Sequence, residues 1–147
     1  MHFWKYCGAG NDFVILENFD GSIAPERYAA LAAALCREHF SVGADGLMVL
    51  EPPAQGGDCR MRFYNRDGST AEMCGNGARC LCRHCHDRGL ASGPVQHIET
   101  PAGLVTGRRI TADRYRIRLN RPSVVRLHVE AEGVRCAYLE LGEPGIP

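Results

Sequence analysis

Three features of the sequence predict an α+β fold dominated by antiparallel strands. Short runs rich in β-branched and aromatic residues recur along the chain, helical periodicity is confined to two segments, and the second half is strand after strand between tight turns. Alternating strand and helix units, the mark of a parallel sheet, are missing from the pattern. A chain of 147 residues, 45% of them apolar, is long enough for one domain with its own core and too short for two complete ones.

Residues 2–7 and 12–17 read as strands on either side of Gly8-Ala9-Gly10-Asn11, whose glycines permit backbone angles closed to other residues and which ends in the polar Asn11. From Pro25 to about His39 the residues Tyr28, Leu31, Ala32, Leu35 and Cys36 share one helical face, and Pro25 suits a first turn. Gly43-Ala44-Asp45-Gly46 is a turn into an apolar strand at 47–51, and 52–57 is a loop. Residues 59–64 alternate as a strand and end in the turn Asn65-Arg66-Asp67-Gly68. A second helix is expected from Cys74 or Gly75 to Arg88, closed by Gly89. Strands at about 95–100, 103–108, 114–119, 124–131 and 134–141 follow. The last leads into Glu143-Pro144-Gly145-Ile146-Pro147, a turn aimed at a further element, which predicts that the chain is a piece of a longer fold.

Seventeen basic and seventeen acidic residues leave no net charge. Lys5 is the only lysine, and the arginines are scattered too evenly to form a one-sided patch, so charge offers no basis for a nucleic-acid or anionic-membrane partner. No apolar run approaches the roughly 20 residues of a membrane span, and Met1-His2-Phe3-Trp4-Lys5 lacks the order of a signal peptide. A cytoplasmic location is expected. There the eight cysteines are buried small residues, metal ligands or catalysts rather than a disulfide scaffold.

Of these thiols, Cys74 has the most informative neighbours. Met73-Cys74-Gly75-Asn76-Gly77-Ala78-Arg79 places it at a glycine-rich helix entry, where backbone N–H groups lack internal partners and the helix end is partly positive. Such a position binds anions and favours the thiolate. Gly75 and Gly77 lack side chains, so a substrate carboxylate could approach the Gly75 and Asn76 amides and set its own Cα beside the sulfur. That arrangement suits proton abstraction α to a carboxylate. A lone cysteine at a helix start is otherwise only a small residue, and the asparagine between two glycines is what favours chemistry here.

Phe3, Lys5 and Gly8-Ala9-Gly10-Asn11-Asp12-Phe13-Val14 are followed by Gly43-Ala44-Asp45-Gly46, by 62–69 from Arg62 to Ser69, by Cys74-Gly75-Asn76-Gly77-Ala78-Arg79-Cys80 and by Thr100-Pro101-Ala102-Gly103. In this order they resemble the signatures of the diaminopimelate epimerase family, over essentially the whole chain. The resemblance implies two pseudo-symmetric domains, each an antiparallel or mixed β-barrel-like sheet wrapped around a central helix, with a catalytic cysteine at that helix's start. It implies interconversion of the L,L and meso forms of diaminopimelate without pyridoxal phosphate or metal, one thiol removing the Cα proton and another returning one on the opposite face. Cys74 matches the first-domain cysteine, Gly75 and Asn76 the backbone donors to the reacting carboxylate, and Asn11 and Asn65 the side chains that hold the distal end of the substrate. Asparagine also favours turns, which is the alternative reason for Asn11 and Asn65; the resemblance favours binding. On this reading residues 1–119 form the first domain and 120–147 open the second.

Some positions depart from the family. Cys7 stands where histidine is frequent, Gly46 where some members carry glutamine, and Ile146 where a substrate-binding asparagine lies in Gly-Asn-Pro-His. Proline and hydroxyproline racemases share the implied fold and chemistry but typically carry histidine in the position of Asn76. A third reading takes Cys80-Leu81-Cys82-Arg83-His84-Cys85-His86 as a zinc-binding module. On a helix, 82, 85 and 86 share a face while 80 and 84 do not, so buried Cys82 and Cys85 with partly solvated His84 and His86 are expected instead. A two-base mechanism needs a second thiol across the substrate, so the chain by itself is expected to be a weak proton-exchange catalyst at best. Its partner would be a second copy, as a homodimer, or a missing C-terminal domain.

Overall fold

In the computed structural model, which describes residues 1–119 and 121–142, the apolar runs 13–16 and 47–50 lie side by side in one curled sheet. β1 (Trp4–Gly8), β2 (Asn11–Glu17), β3 (Gly46–Glu51), β4 (Cys59–Asn65), β6 (Val95–Thr100), β7 (Gly103–Arg109) and β8 (Tyr115–Arg118) succeed one another across it, and β5 (Thr70–Ala71) pairs beside β4. The helix α2 (Gly75–Asp87) packs on β1 and β2 at one end of this order and on β7 and β8 at the other. Both ends of the sheet therefore meet one helix, around which the sheet is wrapped as a half-barrel.

The inner core joins Phe13, Ile15, Met48, Leu50, Met61 and Ile98 of the sheet to Leu81, Cys82 and Cys85 of α2. On the outer face, α1 (Tyr28–Leu35) covers Val14, Leu16, Leu47 and Val49. β2 and β3 are thus buried on both faces, which is why they read as continuous apolar runs, whereas β4 alternates with Arg60 and Arg62 turned away from the core.

The expected α+β class with an antiparallel or mixed sheet holds, with one correction, to the end of the first helix. β2 pairs in parallel with β3, and β4 with β6, so the sheet is mixed. Each parallel pair is joined by a connection that carries a helix, as parallel pairing requires. The first helix stops at Leu35 instead of running to about His39, because the Gly43 and Ala44 amides return to cap the Leu35 and Cys36 carbonyls at 3.0 and 3.1 Å. β9 (Pro122–Ala131) and β10 (Val134–Leu141) form a separate two-stranded sheet that leaves Val125, Leu127, Val134 and Leu139 exposed. The turn read at 143–147, with Ile146, lies outside the described residues. No described helix is long and apolar enough to cross a membrane.

The Cys/His-rich stretch of α2 fans out toward four different strands. Cys80 faces Gly8 of β1, where an added Cβ would lie 2.6 Å from its sulfur, and Cys82 faces Gly107 of β7. The Cys85 sulfur is 3.6 Å from that of Cys59 on β4, and His84 Nε2 is 2.9 Å from Glu17 Oε1 on β2. Among the described residues no three His, Cys, Asp or Glu side chains are grouped to hold a metal ion. Burial pushes the Cys80 thiol up to about 11 and the Cys82 thiol to about 12, as befits packing residues.

His84 corrects a second expectation: it is fully buried, not partly solvated. Trp4 and Tyr6 pack edge-on against its ring, closing the slot between α2 and β1. Desolvation lowers its pKa below the usual histidine value, although Glu17 pulls the other way. As pH falls through about 6.5, the unfolded chain takes up a proton here that the folded protein resists. Stability contributed by the neutral ring is therefore lost on the acid side, at no more than about 1.4 kcal/mol per pH unit. His84→Phe keeps a ring against Trp4 and leaves Glu17 to Arg88, whose Nε lies 3.0 Å away. Denaturant unfolding between pH 7 and 5 is expected to give a flatter profile for this variant than for the parent, and equal slopes would place the acid lability elsewhere.

Candidate active site

The start of α2 is fixed by its own first residues. Cys74 is the N-cap, with extended φ −132° and ψ 116°, and its sulfur accepts the Gly77 amide at 3.5 Å while its carbonyl accepts the Ala78 amide at 2.8 Å. The next two amides, of Gly75 and Asn76, have no acceptor among the described residues. A half-buried thiol thus stands beside two unsatisfied donors at the positive end of a 13-residue helix.

The two glycines of the motif serve different purposes. A Cβ at Gly75 would meet nothing closer than Leu119 at 4.0 Å, so its face is open to an approaching group. A Cβ at Gly77 would meet Met48 at 3.2 Å and Phe13 at 3.6 Å, so this glycine lets α2 settle on the sheet and does not open the site.

Asn11 reaches the same place from the first hairpin. Gly8 pairs with Asn11 across the two-residue turn Ala9-Gly10, whose positive φ values of 55° and 87° suit a tight hairpin. The Asn11 carboxamide oxygen accepts from Asn76 Nδ2 at 2.5 Å, and its nitrogen donates to Asp45 Oδ2 at 3.2 Å. Asn76 Oδ1 in turn accepts from the Arg79 guanidinium. Cys74, Gly75, Asn76 and Asn11 are therefore brought together.

Asn65 stands at the end of β4, where Gly46 is its partner on β3. Its carboxamide donates to Ser69 Oγ at 3.0 Å inside its own turn, and it does not join the Asn11–Asn76 chain. Asp45 links the two regions through its backbone, donating to the Asp12 carbonyl at 2.9 Å and accepting from the Arg66 amide at 3.1 Å. At Gly46 an added Cβ would lie 2.6 Å from the Phe63 ring and 2.9 Å from the Tyr64 carbonyl oxygen, so the space a glutamine would use is filled.

Sequence reading missed Asp45 and Arg79 as parts of the site. Gly43-Ala44-Asp45-Gly46 reads as turn chemistry, and only the pairing of β2 with β3 brings its carboxylate to Asn11.

The description "Diaminopimelate epimerase" belongs to a protein-family model that matches residues 3–120. A curated diaminopimelate epimerase of Pelotomaculum thermopropionicum is 39% identical over 144 residues, covering 98% of this chain and 45% of its own length. One from Caldanaerobacter subterraneus is 45% identical over 105 residues, covering 71% and 36%. The chain thus spans less than half the length of either. Among solved structures, a probable proline racemase from Agrobacterium radiobacter superposes with a TM-score of 0.65 at 17% identity, over 95% of this chain and 47% of that one, a likeness of fold alone.

Proposed function

Because this chain belongs to the diaminopimelate epimerase family, we propose that it supplies one thiol and one half of the substrate site of a cofactor-independent, metal-independent epimerase that converts L,L-diaminopimelate to the meso form. The observation that carries this reading is the Cys74 thiol beside the Gly75 and Asn76 amides, which have no acceptor among the described residues. A substrate carboxylate seated on those amides and the helix end brings its Cα to the sulfur. The Cα proton passes to Cys74, the C–H electron pair spreads into the carboxylate, and the same amides stabilise that enolate-like charge. A second thiol on the opposite face returns a proton, which inverts the centre. Asn11 and Asn65 hold the distal end of the substrate. The product serves lysine and cell-wall precursor synthesis in the cytoplasm.

In this reading the second thiol is none of the other cysteines of α2. Cys80, one turn and a half along α2, is buried against β1 with its pKa raised, and Cys82 and Cys85 are sealed in the core. We assign 1–119 to the domain that carries Cys74 and 120–147 to the opening of a second. The separate β9–β10 sheet supports that division. The missing thiol then belongs to the remainder of a longer protein or to a second copy.

NMR of the chain with L,L-diaminopimelate in D2O tests this. Deuteration at Cα is expected, with meso product formed only when a second thiol is supplied by the longer protein or by dimerisation. Full epimerase turnover by a demonstrated monomer of this chain would refute the two-thiol division, and turnover of proline but not diaminopimelate would make the chain part of a racemase.

A further inference from the structure

We propose that Asp45 is a positioning residue, and that with Arg79 it sets the direction in which the Asn11 and Asn76 carboxamides point. The proposal rests on the active-site reading above. Asp45 Oδ2 accepts from Asn11 Nδ2 at 3.2 Å and from the Asp12 amide at 3.0 Å. Asn11 Oδ1 accepts from Asn76 Nδ2 at 2.5 Å, and Asn76 Oδ1 accepts from Arg79. An ionised carboxylate only accepts and a guanidinium only donates, so the chain between them runs one way. Turning over either carboxamide would set oxygen against oxygen or N–H against N–H.

The consequence is a defined polarity at the site. Each carboxamide has spent its oxygen and one N–H on the chain, and the N–H left over on each has no partner among the described residues. A ligand group that meets them is therefore an acceptor, such as a carboxylate, and an ammonium group is disfavoured there. Asp45 acts through Asn11 and touches no ligand itself. The same residue ties the first hairpin to the 65–69 turn through its backbone, so the place of Asn65 relative to Asn11 depends on it as well.

Asp45→Ala removes the acceptor, Asp45→Val fills the space without one, and Asp45→Asn can place its oxygen where Oδ2 now accepts both bonds. The first readout needs no substrate: in ¹⁵N-labelled chain, the carboxamide N–H₂ signals of Asn11 and Asn76 are expected to shift toward free-amide values in Asp45→Ala and Asp45→Val, and to stay near the parent's in Asp45→Asn. The second is Cα deuteration of L,L-diaminopimelate, where the half-saturating concentration is expected to rise about tenfold in Asp45→Ala and Asp45→Val, the loss of one charge-assisted hydrogen bond. Asp45→Asn is expected to recover most of it, and the maximal rate to change much less than the half-saturation. Arg79→Met breaks the other end of the chain and should move the Asn76 signals first, which keeps the test open if Asp45→Ala fails to fold. Unmoved carboxamide signals in Asp45→Val, or failure of Asp45→Asn to restore them, overturn the proposal. Absence of exchange in the parent would instead refute the catalytic reading, with the carboxamide signals still judging the role of Asp45.

Discussion

Replacing Cys74 with serine is expected to lower Cα-proton exchange by about a thousandfold, the scale of losing a positioned acid/base group, without weakening the fold. The two effects separate because the residue is the N-cap of α2 and, in the proposed reaction, the base. As N-cap, Cys74 holds the Gly77 amide through a long 3.5 Å contact to sulfur. Serine is a preferred N-cap and makes a shorter bond to the same amide, so helix stability is held or raised by up to about 0.5 kcal/mol. As a base, a serine hydroxyl is far weaker than a cysteine sulfur. Cys74→Ala loses both, with the same catalytic deficit and a cost of about 1 kcal/mol. Deuteration by NMR beside a denaturant melt measures both. Exchange that survives in Cys74→Ser would remove the sulfur from the mechanism and reduce Cys74 to a cap.

Gly107→Ala is expected to be strongly destabilising. Gly107 is buried on β7, paired with Ile117 of β8, and an added Cβ would fall on the Cys82 sulfur of α2 and lie 3.2 Å from Ile117 Cδ1. Cys82 has little room to withdraw. It is fully buried, and its carbonyl accepts Gln96 Nε2 from β6 at 3.0 Å. Overpacking here should cost about 3 kcal/mol, or about 10 °C in Tm. Pairing Gly107→Ala with Cys82→Ala removes the colliding atom, so the double variant should be more stable than Gly107→Ala alone, a strongly non-additive result. Additive losses would mean that α2 is not seated on β7 through this contact.

Much of the architecture was legible because the local signals agreed with the global fold. The strands at 59–64 and 95–100, the helix after Cys74 and the Gly89 stop all lie within a residue or so of their expected ends. Burial of Cys82 and Cys85 was readable from helical spacing alone. The misses have physical causes of two kinds. β5 is only two residues long and carries no periodicity to detect. The early end of α1 and the burial of His84 depend on residues distant in sequence: Gly43 and Ala44 cap the helix, and β1 and β2 close over the imidazole with Trp4, Tyr6 and Glu17.

The candidate site divides in the same way. The motif from Cys74 to Asn76 was readable as a candidate site because everything it needs is local: a thiol, two small or polar neighbours and the start of a helix, whose unpaired amides follow from helix geometry itself. Asn11 was readable as a polar residue at the end of a glycine turn, with nothing local to say what it faces. Its union with Asn76, 65 positions away, and the anchoring of both between Asp45 and Arg79 required the sheet to curl and set β1, β2 and the β3 entry against the first turn of α2. Sequence by itself determined the longer strands, the two helices and the candidate thiol, since these follow from short-range periodicity and backbone chemistry. Only the tertiary structure decided which polar groups face one another, because hydrogen-bond partners are chosen by packing across the sheet and leave no trace in local pattern.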